Sequence, residues 1–441
     1  MPHNVEETEE GPIQISHLDF PVVGIGASAG GLAAVSALLT NLPADNGMAF
    51  VVILHLSPKH ESSADRFLQR STRMPVIQVT QPQRIERNHI YVISPSVDLV
   101  MNDGSLIVQD ATRPRGRHTA IDTFFRTLAL AHRDRAVGVV LSGTGADGSV
   151  GIAALKEHGG VTLAQAPDDS EYDDMPRNAI ASGFVDFVLP AVEMPPKLLQ
   201  LWHNAREIVL PVKGEIDEPM MAKKVRASRG DEEALRDILS MLSSRTGHDF
   251  HHYKRATVLR RIERRLQVNL LKDIGSYRDF LADNEAETAA LLSDMLISVT
   301  NFFRDREAFE ALERDIVPGL LERGRDSGSV RVWTPGCATG EEPYSVAMLL
   351  SDEAARSDSP PAIQVFATDI DERALARVRA GLYPDSIVTD VPPTRLREYF
   401  SREHHQYRVK KHVRDRVLFA LHNVLRDPPF SRVDLICCAT C

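Results

Sequence analysis

The sequence predicts an α/β chain in three parts: a parallel-sheet, Rossmann-like first domain, a small all-helical domain, and a partial Rossmann-like third domain. Three observations predict it. From Phe20 to Leu201, short apolar runs with β-branched residues alternate with helical stretches. From Asp231 to about Val299 the apolar positions recur at helical spacing, and from Ser329 the alternation of strands and helices returns. Each alternating stretch also opens with a Gly-rich turn directly after its first strand.

The first such turn has three readings. Phe20-Pro21-Val22-Val23 runs into Gly24 to Gly31, and Gly26-Ala27-Ser28-Ala29-Gly30 reads G-x-S-x-G, a nucleophile elbow that exposes Ser28 between strand and helix. Gly24-x-Gly26-x-x-Ala29 is close to a dinucleotide fingerprint. A plain tight βα turn is the third. A dinucleotide site wants a carboxylate at the end of the second strand, about 20 residues on. The second strand here, Ala49–Leu54, runs instead into His55, which can serve a serine as base. Ala136–Leu141 forms a further strand, and Asp147 lies in the Gly-rich turn Ser142–Gly148 after it. The order Ser, His, Asp differs from the Ser, Asp/Glu, His order of α/β-hydrolases, so such a triad belongs to another fold. Taken singly, each of the three residues also suits an ordinary turn or loop.

These residues, with Met175-Pro176-Arg177 and Ala179-Ile180, resemble the catalytic domain of chemotaxis protein-glutamate methylesterases (CheB), continuously from about Phe20 to Leu201. The resemblance implies that Ser28 attacks a γ-glutamyl methyl ester, His55 takes and returns the proton, and Asp147 orients the imidazole. No cofactor is needed. The oxyanion of the tetrahedral intermediate needs fixed N–H donors; the amides of Ala29 and Thr144 are the local candidates. Family members often carry Met where Thr144 stands. They usually carry an N-terminal receiver domain as well, whereas about 20 residues precede the first strand here, so control by a fused receiver is expected to be absent.

Composition sets bounds. A chain of 441 residues is long for one domain, and 43% hydrophobic with 25% charged residues suits several globular cores. A formal net charge of −10 argues against a general nucleic-acid binder. There are four cysteines, three of them Cys437, Cys438 and Cys441; without nearby histidines they make neither a disulfide framework nor a zinc site, and no metal is expected. No apolar run reaches the roughly 20 residues of a membrane span. The acidic N-terminus is unlike a signal peptide, so the chain reads as soluble and cytoplasmic.

The expected layout is a disordered lead-in at 1–17, the first domain at 18–202, a linker at 203–229 with Pro211, Gly214 and Pro219, the helical domain at 230–297, and the third domain at 298–441. In the helical domain Leu235, Ile238, Leu239 and Leu242 share one face, and Gly247 ends that helix. A second helix turns Val258, Leu259, Ile262 and Leu266 inward and carries Arg255, Arg260, Arg261, Arg264 and Arg265 elsewhere. These arginines are either a solvated face or a surface for an acidic macromolecular partner.

In the third domain, strand Val330–Trp333 leads through Gly336-Cys337-Ala338-Thr339-Gly340-Glu341-Glu342 into a helix over Pro343–Leu350, and strand Ile363–Ala367 ends at Asp369. By spacing alone this suits a nucleotide, NAD or S-adenosylmethionine, or simply a structural turn. Glu341 and Glu342 would repel a pyrophosphate, which favours the phosphate-free, cationic S-adenosylmethionine.

Phe250–Leu266, Leu296–Asp305, Gly336–Tyr344 and Ala367–Asp371 resemble the chemotaxis receptor methyltransferases (CheR), from about Leu235 onward. The resemblance implies S-adenosylmethionine as cofactor, with Ser298, Thr300 and Arg304 near its methionine part, Glu341 on its amine, Asp369 on the ribose, and Asn423 and Val424 near the adenine. It also turns the arginine-rich helix toward the acidic methylation region of a receptor, and makes methyl-accepting receptors the partners, with no nucleic acid and no membrane insertion. After Val433–Ile436 the family continues with Cys-Arg-Asn and three more strands. Here the sequence reads Cys437-Cys438-Ala439-Thr440-Cys441, so the expectation is an incomplete methyltransferase that binds its cofactor weakly or not at all. The whole then reads as a glutamate methylesterase fused to a methyltransferase module. The alternatives are a non-catalytic signalling scaffold and a serine hydrolase with an unrelated ester substrate.

Overall fold

A computed structural model describes residues 13–55, 63–110, 119–210, 229–297, 300–403 and 406–438. The chain divides into two compact units, Met1–Met295 and Leu296–Cys441.

In the first unit, β1 (Val22–Ala27) leads through α1 (Gly31–Thr40) to β2 (Ala49–Leu54), and α2 (Ala64–Gln69) to β3 (Val76–Val79). A short β4 (Gln83–Arg84) precedes β5 (Ile90–Ile93) and the hairpin of β6 (Val97–Asn102) and β7 (Ser105–Asp110). Then α3 (Ala120–His132) feeds β8 (Ala136–Val140), α4 (Ser149–Glu157) feeds β9 (Val161–Gln165), and α5 (Asp174–Ala181) feeds β10 (Phe187–Leu189), before α6 (Met194–Ala205).

Seven strands form one all-parallel sheet in the order β10-β9-β8-β1-β2-β5-β3. Every residue of β1, β2, β8 and β9 is buried, as expected of strands covered by helices on both faces. The chain fills one side of β1 first and then crosses to β8 on the other. The ends of β1, β2 and β8 therefore meet at a topological switch point, where open α/β sheets hold their ligands.

Three features differ from the sequence expectation. The antiparallel sheet β4-β7-β6 is an addition to the parallel one. Residues 13–17, expected to be disordered, pack on the domain: Ser16 is buried and its N–H donates to the carbonyl of Ala131 at 2.7 Å. The start of the expected linker is ordered too, since α6 runs to Ala205 and the Val209 N–H donates to the Lys272 carbonyl at 2.8 Å. The linker's Pro211, Gly214 and Pro219 lie outside the described residues.

The same unit continues with four helices, α7 (Arg229–Thr246), α8 (Arg255–Val268), α9 (Ile274–Asp283) and α10 (Glu285–Met295). Leu235, Ile238, Leu239 and Leu242 of α7 are buried, as are Val258, Ile262 and Leu266 of α8. The arginines of α8 do not form a solvated face: Arg261, Arg264 and Arg265 are buried as well.

The second unit opens with α11 (Arg306–Ala311) and α12 (Val317–Ser327), then β11 (Ser329–Pro335), α13 (Glu341–Ala354), β12 (Ala362–Asp369) and α14 (Glu372–Ala380). After β13 (Leu382–Pro384), α15 (Pro393–Tyr399), β14 (Phe400–Glu403), β15 (Gln406–Val409) and α16 (Lys411–Arg414) come β16 (Val417–Leu421) and β17 (Leu435–Ile436). The parallel sheet has the order β16-β12-β11-β17, the expected partial Rossmann arrangement. The antiparallel sheet β13-β15-β14 beside it is not evident from the sequence pattern. Among the described residues, no helix is long and apolar enough to cross a membrane.

Candidate active site and cofactor site

Ser28 follows β1, His55 follows β2, and Asp147 lies in the loop between β8 and α4. The structure brings all three together. His55 Nδ1 stands 3.2 Å from Ser28 Oγ, and His55 Nε2 stands 2.7 Å from Asp147 Oδ2. The imidazole thus works from its Nε2–H tautomer: that proton goes to Asp147, and the Nδ1 lone pair faces the serine hydroxyl. The side chains of His55 and Asp147 are 9% and 3% exposed, which keeps water from competing for this bond.

Asp147 is held by the start of α3. Its Oδ2 also accepts the Ile121 N–H at 3.0 Å, while its Oδ1 accepts those of Asp122 at 2.9 Å and Gly148 at 3.0 Å. The start of a helix therefore fixes the position and orientation of the carboxylate. This cradle was not legible in the sequence. Asp122, buried beside it, accepts the Gly151 N–H at 2.7 Å, and its second oxygen has no partner. Burial, and then the charge of Asp147, push the Asp122 carboxyl up to about 8, so it is protonated at neutral pH.

The backbone around Ser28 is packed closely. Its own N–H is spent on the Ser142 carbonyl at 3.0 Å, and the Gly143 N–H on Tyr172 O at 2.9 Å. A Cβ at Gly143 would lie 2.2 Å from Met175 Sδ and 2.8 Å from Ser28 Cβ, so only glycine fits against the serine. Among the described residues, no group accepts the Ala29 or Thr144 N–H, which leaves both amides available to an oxyanion.

In the second unit, Asp369 ends β12 and its carboxylate is turned onto backbone: Oδ2 accepts the Ala338 N–H at 2.7 Å and Oδ1 that of Asp371 at 2.8 Å. It therefore pins the Gly-rich turn after β11 to the end of the neighbouring strand. Burial raises its pKa, against the pull of these N–H groups. Glu341, at the start of α13, accepts from the Thr339 hydroxyl at 2.7 Å. Thr300 is buried and, among the described residues, its Oγ1 has no partner. Asn423 follows β16 and its Oδ1 accepts the Leu425 N–H at 3.0 Å, while Val424 is 53% exposed. Arg304 is half-buried, and Ser298 lies outside the described residues.

Glu341, Asp369 and Asn423 thus follow β11, β12 and β16, three adjacent parallel strands, on the same edge of the sheet. Two carboxylates and an orphaned hydroxyl suit a cationic, hydroxyl-bearing ligand better than a polyphosphate. The residues present fit S-adenosylmethionine.

The fold and these sites define a class: a parallel α/β domain with a serine–histidine–aspartate constellation at its switch point, followed by a helical domain and a Rossmann-like domain with a nucleoside-type edge. Residues 23–198 match the family model for CheB methylesterase, 233–296 the all-alpha domain of CheR methyltransferase, and 298–440 its SAM-binding domain. The chain belongs to the chemotaxis methyltransferase family, and its first domain, fused ahead of the two CheR domains, matches the family model for CheB methylesterase.

It is 32% identical over 208 residues to a probable chemotaxis protein methyltransferase of Rhizobium etli, covering 45% of this chain and 76% of that one. It is 28% identical over 191 residues to a putative protein-glutamate methylesterase/protein-glutamine glutaminase of Leptospira interrogans, covering 43% of this chain and 99% of that protein. An uncharacterized 104.1 kDa protein of Rhodobacter capsulatus is 36% identical over 385 residues, spanning 84% of this chain. The chain covers 40% of the length of that relative.

Proposed function

We propose that the first domain hydrolyses glutamate methyl esters on receptor proteins, and that the C-terminal domains are the S-adenosylmethionine-binding part of a glutamate methyltransferase. The Ser28–His55–Asp147 geometry carries the first part. Ser28 Oγ attacks the ester carbonyl as His55 Nδ1 takes its proton, and the Nε2–H bond to Asp147 stabilises the imidazolium that forms. The N–H groups of Ala29 and Thr144 receive the oxyanion. His55 then gives its proton to the departing methanol, and water repeats the sequence on the acyl-enzyme. The triad lies at the end of an open sheet, where a receptor side chain can reach it.

For the second part, Thr300, Arg304, Glu341, Asp369, Asn423 and Val424 are the residues that would hold S-adenosylmethionine, and the family resemblance adds Ser298, which lies outside the described residues. The cofactor supplies an electrophilic methyl on a sulfonium. Asp369 and Glu341 orient the ligand through carboxylates fixed by the Gly-rich turn, and no strong base is needed because a glutamate carboxylate is already a nucleophile.

Methanol release from a methyl-esterified receptor tests the esterase, with Ser28→Ala as control. Wild-type turnover by that variant would refute the nucleophile assignment. A folded wild-type chain that releases no methanol from methylated receptor would leave a scaffold role, or a different ester.

A further inference from the structure

Helix α8 spends its arginines inside the first unit. Arg264 is fully buried between Asp186, just before β10, and Asp294 of α10, with ion pairs to both, and its Nε donates to the Gly160 carbonyl at 3.1 Å. Lys156, in the last turn of α4, enters the same cluster, with Nζ 3.3 Å from Asp186 Oδ1 and 3.6 Å from Asp294 Oδ1. One turn before Arg264, Arg261 donates to the carbonyls of Glu157 at 2.7 Å and Lys156 at 3.3 Å. It thereby caps the negative end of α4, where a cation is favourable. Arg265 is held by Glu287 through two bonds, at 2.7 and 2.6 Å, and Arg255 by Glu232 at 2.6 Å. Asn204 of α6 adds a bond to the Leu271 carbonyl at 3.1 Å.

We propose that the arginine face of α8 is a docking surface for the chain's own methylesterase domain. It fits the carboxylate of Asp186 and the carbonyl end of α4, locks the helical domain onto the esterase, and is closed to an acidic receptor segment while docked. The match is one of charge and of shape. Across the contact Arg264 of α8 meets Asp186 of the esterase and Lys156 of the esterase meets Asp294 of α10, while Arg265 is held within the helical domain by Glu287. A guanidinium buried as deeply as Arg264 is tolerated only when its partners are in place. The consequence reaches the esterase site, because α4 starts at Ser149, directly after Asp147-Gly148, and ends under Arg261. The proposal does not depend on either activity.

The experiment is arginine modification of the intact chain by phenylglyoxal, read residue by residue by mass spectrometry. Arg261 and Arg264 should react at least about tenfold more slowly than Arg306, which is 88% exposed, because they must wait for the unit to open. Rates equal to that of Arg306, slowed by added polyglutamate, would assign the helix to an acidic partner and overturn the proposal. In the full-length Arg264→Gln variant, amide exchange should rise in α8 and α4 together. A rise confined to α8 would equally overturn it. Should that variant fail to fold, the modification rates of the unaltered chain decide alone.

Discussion

Replacing Asp147 by Asn tests the triad through its least replaceable property, four accepted hydrogen bonds on one carboxylate. An amide accepts on one side only, so its NH2 must face two donors. In one orientation the oxygen keeps His55 and Ile121, and the NH2 is driven against the N–H groups of Asp122 and Gly148. In the other the oxygen keeps Asp122 and Gly148, the Ile121 N–H is orphaned, and the NH2 donates to His55 Nε2. The second leaves one buried donor unsatisfied instead of two, a preference of about 1–3 kcal/mol.

That orientation also turns the imidazole into the wrong tautomer. With Nε2 accepting, the ring proton sits on Nδ1, facing Ser28 Oγ, and the serine has no base. Loss of the orienting acid costs about 10⁴-fold in another serine triad, and a fall of that order in methanol release is expected here. The variant should unfold at lower urea, because hydrogen bonds to a charged group worth about 1.5–3 kcal/mol each are lost. A folded Asp147→Asn protein that retained more than roughly a tenth of wild-type kcat would refute this reasoning, since the tautomer argument requires a loss of orders of magnitude.

Three further outcomes follow from the geometry. Asp122 keeps its proton up to about pH 8 in the folded state against an ordinary carboxylate value unfolded, so its contribution to stability should be full below about pH 4 and fall as pH rises toward 8. Buried His132, with its pKa lowered to about 3, works in the opposite sense over part of this range. The test is therefore the difference in urea midpoint between wild type and Asp122→Asn, which should shrink or change sign from pH 5 to 8 in the direction of a weaker wild type. Gly143→Ala should leave the fold intact but displace Ser28, lowering kcat by up to about 10²-fold, as for any misplaced nucleophile; unchanged kcat would show that Met175 alone absorbs the methyl. Thr300→Val removes a buried hydroxyl without a partner, so stability should hold or improve while the Kd for S-adenosylhomocysteine weakens about tenfold by calorimetry. An unchanged Kd would take Thr300 out of the cofactor site.

The esterase constellation is legible because Ser28 and His55 directly follow apolar runs and Asp147 lies in the Gly-rich turn after a third, and such runs in an α/β pattern are parallel strands whose carboxyl ends face one way. What holds Asp147 is not legible. The N–H groups of Ile121 and Asp122 lie 26 and 25 residues earlier in the chain, and an ordinary helix start announces nothing about which distant acid it will receive. The β6–β7 hairpin had a readable signal in Asp103-Gly104, whose φ angles of 42° and 69° are those a tight hairpin turn demands. It is easily passed over because its strands sit inside an otherwise parallel pattern. In the second unit, Glu341 and Asp369 follow from the turn-and-acid spacing, but the backbone bonds that occupy Asp369 follow only from the loop geometry.

The arginines of α8 show why a charge run does not declare its partner. Period and composition place Arg261, Arg264 and Arg265 off the apolar stripe, where a solvated face is the ordinary outcome. The groups that receive Arg261 and the esterase carboxylate that pairs Arg264 stand 78 to 105 residues away in sequence, so only the tertiary fold can bury them. Burial alone would drive the Asp186 carboxyl up, yet Arg264 and Lys156 outweigh it and bring it down to about 2. Such a network is poor grounds for great stability, because removing both charges from water costs much of what their attraction returns. Its strength lies in discrimination: with the helical domain placed elsewhere, Arg264 would keep Asp294 but lose Asp186 and the Gly160 carbonyl, and Arg261 would lose the carbonyl end of α4. The placement of α8 is thereby tied to one partner, and that one is the helix whose other end begins beside the acid of the esterase triad.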